Sequence, residues 1–268
     1  MLSPNNRLVS MTSKHQIHPK SPLSEQDFVS LIEKFDKEGQ VVDDRGRNLI
    51  KSFQVKGIHV NVKSFKIPHL INQVAYRYFR PSKAERSFEH ACYLQERNIG
   101  TPQPLAYFEF FRTKGIQNSY YFSVHQDYDI TFWGLVDKPR YPDFENILRQ
   151  FTRFTYTLHN NGVFFKDHSA GNTLIKKNKD QYDFYLIDLN RMKFMELSLD
   201  DRIRNFAKLP EDSEIIEIMS DEYAKLYGQP YELIHDKMTR ETRAFRKKYE
   251  RRTGFKKKYL AKNKRYSP

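Results

Sequence analysis

The sequence predicts an α+β fold in two lobes: a small β-rich N-terminal lobe with one central helix, then a mainly helical C-terminal lobe. Three observations predict it. Apolar and polar residues alternate through "IHVNVKSF" and its neighbours, the two-residue period of strands. Further on, "DFENILRQFTRFTYTLHNNG" places Phe144, Ile147, Leu148, Phe151, Phe154 and Leu158 on one helical face. The change of period falls near Val124 to Tyr128, the expected hinge.

The elements follow in order. "SEQDFVSLIEKFDKEG" reads as a helix, with Ser24 as N-cap and Asp27 where a capping box wants an acid. Phe28, Leu31, Ile32 and Phe35 share its apolar face, and Gly39 stops it. "QVV", "LIKSFQV" and "IHVNVKSF" form an antiparallel meander, and "PSKAERSFEHACYLQERN" is the central helix. "IGTPQPLAYFEFF" and "SYYFSVHQ" are strands separated by "RTKGIQN". After the long helix, "NTLIKK" and "YDFYLIDLNRM" are two strands around "KNKDQ", and "DSEIIEIMSDEYAKLYG" is helical. The expected division is a disordered leader over 1–23, an N-terminal lobe over 24–126, a C-terminal lobe over 127–236 and a basic tail over 237–268. The tail is expected to be partly helical at its start and disordered at its end.

Composition bounds the function. Hydrophobic residues at 38% and aromatic ones at 15% supply a core for 268 residues. No segment reaches the ~20 apolar residues that span a bilayer. The N-terminus lacks the ~7–15-residue apolar run of a secretory signal. The single cysteine, Cys92, allows no intrachain disulfide and suits a reducing compartment. A cytoplasmic protein is expected. The net charge is +13, and residues 237–268 hold fourteen Lys or Arg against Glu241 and Glu250, leaving the tail +12 of it. Three readings of the tail stand: a solvated end, contact with an anionic leaflet at ~1 kcal/mol per basic residue, or salt-sensitive nucleic-acid binding.

One loop carries the chemistry. "FFKDHSAGN" holds Asp167 and, five residues on, Asn172. Alone, the two suit a turn or a helix cap equally well. Phosphoryl transfer needs a cation at the phosphates, oxygen ligands for Mg²⁺ and a carboxylate beside the attacking hydroxyl. Asp167 follows the long helix and can accept the hydroxyl proton. Asn172 and Asp188, the latter in "FYLIDLN", offer hard oxygen ligands. Lys63, ending "VNVK", offers the cation, with Lys66 as a competitor past the alternating run. His168 has no second His or Cys at ligand spacing and reads as a loop histidine. Trp133 and Cys92 read as packing residues.

"LHNNGVFFKDHSAGNTLI" with "FYLIDLNRMKF" resembles the catalytic loop and metal-binding strand of the protein-kinase-like superfamily, and "VNVK" resembles its lysine strand. Within it, "FRPSKAERSFEHA", "TPQPLAYFE" and "DHSAGNTLI…LIDLNRMKF" resemble the lipopolysaccharide kinase family, the Kdo and heptose kinases, over about Arg47 to Leu209. The resemblance implies a bilobal protein-kinase-like fold. It implies ATP and Mg²⁺ as cofactors, and a lipid-anchored anionic sugar, Kdo-lipid A or core lipopolysaccharide, as substrate at the inner face of the inner membrane. It makes Asp167 the catalytic base, Asn172 and Asp188 the metal ligands, and Lys63 the residue binding the ATP phosphates. Glu89 would pair with Lys63, Glu85 being its competitor, and Val124, His125 and Gln126 would meet the adenine. No glycine-rich loop is present; "DDRGRN" offers only Gly46, so Arg47, Asn48 or backbone amides would cover the phosphates. Leu189-Asn190 replaces the usual Phe-Gly after the metal aspartate, and no activation segment is visible. Where conventional Ser/Thr kinases carry a lysine two residues past the catalytic aspartate, this chain has Ser169, which favours a non-protein hydroxyl. A RIO-like atypical kinase acting on protein or ribonucleoprotein, and a pseudokinase scaffold, remain as alternatives.

Overall fold

The structure, a computed structural model, describes residues 12–44, 48–67, 76, 80–112, 115–137 and 140–264, with side chains as far as Gly254. The chain divides into two compact units. The first holds residues 1–127 and 186–191; the second holds 128–185 and 192–268.

The first unit is built on six antiparallel strands: β1 (Thr12–Ile17), β2 (Gln40–Asp44), β3 (Asn48–Val55), β4 (Ile58–Phe65), β5 (Pro104–Arg112) and β6 (Gly115–Val124), in the order β1-β5-β6-β4-β3-β2. Helix α1 (Glu25–Lys34) has the expected capping box, in which Ser24 and Asp27 satisfy each other's backbone N–H. Its Phe28, Leu31 and Ile32 enter one face of the sheet, packing with Val60, Val62, Phe108 and Phe122. The Phe28 ring lies 5.0 Å from Phe122 and 5.8 Å from Phe108. Helix α2 (Lys83–Glu96), capped by Ser82, packs on β5 and β6 through contacts such as Phe88 on Tyr107, 5.5 Å apart. With helices against both its faces, β5 is buried at every position but Arg112.

Strand β1 corrects the disordered leader expected over 1–23 from Thr12 onward; residues 1–11 lie outside the described residues. Its sequence, "TSKHQI", lacks an aliphatic stripe, so no pattern announces it. It is held by partners from other elements. His15 stacks on Phe108 at 4.7 Å, Lys14 pairs with Glu85, and the strand runs antiparallel to β5 with Thr12 opposite Phe111. Strand β6 also starts earlier than read, at Gly115, because Ile116 buries itself and extends the hairpin. The turn carrying Gly46 and Arg47 lies at 45–47, outside the described residues.

The second unit holds α3 (Phe132–Val136), α4 (Phe144–Asn160), α5 (Leu199–Phe206), α6 (Ser213–Tyr227) and α7 (Tyr231–Lys264). It has two small sheets: β7 (Ile130–Thr131), β9 (Thr173–Asn178) and β10 (Gln181–Leu186) in the order β10-β9-β7, and β8 (Val163–Phe165) with β11 (Met192–Phe194). On α4 the expected apolar face is buried, Phe154 only partly. It packs on α6, which ends at Gly228 in the left-handed conformation.

Two further expectations are corrected. "YDFYLIDLNRM" is not one strand: β10 ends at Leu186, Asp188 adopts φ +59, and β11 begins at Met192. A positive φ cannot continue a strand, and aspartate is among the few residues that tolerate it. The basic tail is not separate from the helical unit. Helix α7 runs to Lys264 and buries Ile234, Met238 and Thr242, one residue per turn, in the core. One buried residue per turn was too sparse to show through so many charges. No helix among the described residues is long and apolar enough to cross a membrane.

Replacing Phe28 by Ala is expected to cost about 3–5 kcal/mol, and Ser24 by Ala about 1 kcal/mol. Urea unfolding followed by circular dichroism measures both. Equal, small losses would mean that α1 is not seated on the sheet as described.

Candidate active site

The first unit positions Lys63. Val60 and Val62 point into the α1 core, so their neighbour Lys63 takes the opposite face of the sheet. There it aligns across the ladder with Tyr121 on β6 and Tyr107 on β5, the tyrosine that meets Phe88 of α2. The Lys63 ammonium donates to Asp188 Oδ1 at 2.6 Å, joining residues 125 apart in sequence. Lys63 is nearly buried and Asp188 partly exposed, with side-chain exposures of 12% and 36%. Lys66 is exposed.

Asp188 sits in a segment tied down at several points. The Leu186 N–H donates to Gly100 O at 2.9 Å, and Thr101 Oγ1 donates to Leu186 O at 2.9 Å. His90 Nδ1 on α2 lies 2.7 Å from Leu189 O. A carbonyl only accepts, so Nδ1 carries the proton; burial, the dominant cause, lowers this histidine's pKa. Asn190 Nδ2 donates to Asp188 Oδ1 at 2.8 Å. Asn190 thus orients the aspartate. These bonds hold Asp188 in its left-handed conformation, a strain typical of functional positions.

The glutamate partner of Lys63 differs from expectation. Asp188, not Glu89, meets the Lys63 ammonium. Glu85, the competitor, is held by Lys14 of β1 and accepts from the Tyr107 hydroxyl at 3.3 Å. Burial and the negative charge of Glu85 raise the pKa of Glu89. Glu109, fully buried on β5 beside the same acids, is pushed up to about 7, mainly by desolvation. The unforeseen strand β1 supplies the lysine that claims this acidic cluster. Cys92, one turn further along α2, is pushed up to about 11 by burial and stays a thiol, as its packing role requires.

At the adenine candidates, the Val124 N–H bonds Gln103 O at 2.9 Å and the His125 N–H bonds His59 O at 2.8 Å. The His125 ring stacks on His59 at 4.2 Å, and its Nδ1 lies 3.0 Å from Asn61 Oδ1. Of the three N–H groups over 124–126, only that of Gln126 has no protein acceptor among the described residues.

The second unit positions Asp167. Strand β8 pairs with β11, Phe165 opposite Met192, and the loop leaves from its end. Gly162 makes the entry possible: its φ is +71, and a Cβ there would stand 2.9 Å from Met195 O. Three successive carbonyls of the loop then accept side-chain hydrogen bonds. Asn205 Nδ2 donates to Phe165 O at 2.7 Å, Lys208 Nζ to Lys166 O at 2.5 Å, and Asn172 Nδ2 to Asp167 O at 2.8 Å. Lys208 Nζ also reaches Asp167 Oδ1 at 2.9 Å. Because Asn172 spends its amide nitrogen on the loop, its oxygen is the end left to ligate a cation. Gly171 lets Trp133 approach, the indole Nε1 lying 3.4 Å from where a Cβ would be. Trp133 is not packed away as expected; it is half exposed beside the loop.

Beneath the loop the polar groups are buried. His159 bridges the Tyr223 hydroxyl (2.8 Å) and Asn205 Oδ1 (3.1 Å). His168 stacks on Phe151 and lies 3.4 Å from Thr155 Oγ1, whose own proton goes to Phe151 O. The His168 Nε2 is therefore the donor, and its buried Nδ1 has no partner among the described residues. Burial lowers His159 to about 3 and His168 to about 4, so both are neutral in the folded chain. His168, read as a loop histidine, is instead buried in the packing beneath the loop. Asn205 and Lys208 escaped sequence reading because nothing local marks them: they sit about forty residues past the loop, in "IRNFAKLP".

No family model matches the chain, and no curated protein matches it. Among solved structures, 713 chains match, so the fold is widespread and does not by itself select an acceptor. One of them is WaaP in complex with acyl carrier protein. It matches with a TM-score of 0.59 and 14% identity, over 89% of this chain and 98% of that one. The fold is thus a mixed α+β, kinase-like one, an antiparallel N-terminal sheet followed by a helical part.

The buried histidines fix a pH response. Their folded pKa values lie below the ordinary 6.5, so the unfolded chain binds more protons and stability falls as pH drops from about 6.5 toward 4. Two such groups give a slope of roughly 2–3 kcal/mol per pH unit at most. His168→Phe is expected to take its own share, about 1.4 kcal/mol per pH unit at most, out of the slope in urea unfolding at stepped pH. An unchanged slope would mean that His168 is not held neutral.

Proposed function

We propose that this chain is an ATP- and Mg²⁺-dependent kinase of the lipopolysaccharide kinase family, transferring the γ-phosphoryl group to a Kdo or heptose hydroxyl of the lipopolysaccharide inner core. The observation that carries the reading is the Lys63–Asp188 ion pair at 2.6 Å. It supports the reading by bringing together, inside one unit, the cation and the carboxylate that the reading assigns to the phosphates and to the metal.

The donor set fits Mg²⁺. Asp188 and Asn172 offer a carboxylate and a carboxamide oxygen, hard ligands for a hard cation. No cluster of three His, Cys, Asp or Glu among the described residues would hold a metal by itself. That suits an ion bound through one or two protein oxygens together with nucleotide phosphates. Bound ATP-Mg²⁺ supplies the phosphoryl group. Lys63 meets its phosphates, exchanging part of its bond to Asp188 for them. Gln126, with the backbone carbonyls of the same stretch, meets the adenine edge. Asp167 orients the acceptor hydroxyl and takes its proton. Ser169, in place of the lysine of conventional Ser/Thr kinases, favours a sugar as the acceptor.

The basic, exposed end of α7 suits a lipid-anchored acceptor. Arg246, Lys247, Arg251 and Arg252 are exposed along it with Tyr249, and more lysines follow. Such a helix gains ~1 kcal/mol per basic residue at an anionic leaflet. This charge supports a peripheral position at the cytoplasmic face of the inner membrane.

Incubation with ATP-Mg²⁺ and Kdo-lipid A is expected to add one phosphate, about 80 Da, to the glycolipid by intact-mass analysis. Asp167→Ala is expected to lower the rate by about 10²–10⁴-fold. No mass gain on any core glycolipid would remove the acceptor assignment. Lys63→Met and Asp188→Asn should each abolish the rise in melting temperature that ATP-Mg²⁺ gives the wild type. No rise in the wild type would favour a scaffold without catalysis. Binding to vesicles containing phosphatidylglycerol should weaken steeply with salt and vanish when residues 246–268 are deleted. Retention by neutral vesicles would exclude a charge-driven contact.

A further inference from the structure

We propose that Lys208 is a positioning residue for Asp167, bringing to its carboxylate, from the turn after α5, an ammonium that position 169 does not supply. The inference rests on the kinase reading above and adds a residue to it. Position 169, where conventional Ser/Thr kinases carry a lysine, holds a serine.

The geometry points to Lys208 as that cation. Its ammonium lies 2.9 Å from Asp167 Oδ1 and also bonds the carbonyl of Lys166, next before it. One ammonium thus fixes both the backbone entering Asp167 and the rotation of its carboxylate. The lysine is itself placed from below. Asn205, three residues earlier, is anchored on Phe165 O and His159, and the Leu209 N–H closes the turn on Phe206 O at 2.9 Å. The Lys208 ammonium also stands 6.0 Å from the ring of Phe245 on α7. Its side chain is 30% exposed and that of Asp167 19%, so the pair is only partly screened and remains reachable by substrate. A charge so placed holds the carboxylate for the acceptor hydroxyl and offsets negative charge gathering beside it in the transition state.

The test compares wild type, Asp167→Ala, Lys208→Met and Lys208→Arg in ADP release with ATP-Mg²⁺ and Kdo-lipid A, alongside their melting temperatures. Lys208→Met is expected to lower kcat about 10- to 100-fold, with the KM for ATP within about two-fold of wild type. Lys208→Arg is expected to restore most of the rate, since a guanidinium keeps the charge and the bond. An active Lys208→Met beside an inactive Asp167→Ala would overturn the inference and leave the kinase reading standing. So would a change confined to KM. Equal losses in Met and Arg that track a fall in melting temperature would reduce Lys208 to a structural role and overturn it too. Wild type no faster than Asp167→Ala would remove the kinase reading, and this inference with it.

Discussion

A loop that presents a carboxylate from within a folded chain must first satisfy its own carbonyls. The second unit meets that constraint with side chains. Tyr223, His159 and Asn205 form a buried series that ends on Phe165 O, Lys208 takes the next carbonyl and Asn172 the one after. Each anchor comes from a different element, so α4, α5 and α6 must all be in place before the loop has one conformation. The neutrality of His159 follows, since a proton added there would have to be buried with it.

The first unit solves a related problem with a covalent detour. Residues 186–191 arrive from the helical half of the sequence but pack within the N-terminal unit. There Gly100, Thr101, His90 and Lys63 receive them. The aspartate just past β10 is therefore held by groups that precede it by about a hundred residues. Any rearrangement of α2 that moves His90 pulls on Leu189, and through it on Asp188.

Much of this was legible in the sequence where periodicity is strong. The α1 capping box, the β2–β4 meander and the α4 stripe were all marked by pattern. The five-residue step from Asp167 to Asn172 and the alternation that sets Lys63 opposite Val62 were equally local. What sequence could not show was long-range pairing. Strand β1 is polar and is held by Glu85 and Phe108, α7 buries one residue per turn, and Lys63 prefers Asp188 to a helix glutamate. In each case the partner lies far along the chain, and no spacing rule reaches it. Lys208 is the clearest instance, a lysine with no motif around it that touches the central carboxylate of the loop.

Trp133 has one more consequence. It is the only tryptophan in the chain, half exposed, with its indole nitrogen against Gly171. Tyrosines emit at shorter wavelength, so all fluorescence excited at the red edge comes from one ring beside one loop. The protein carries a built-in optical probe, and quenching by iodide would read solvent access to that loop without any label.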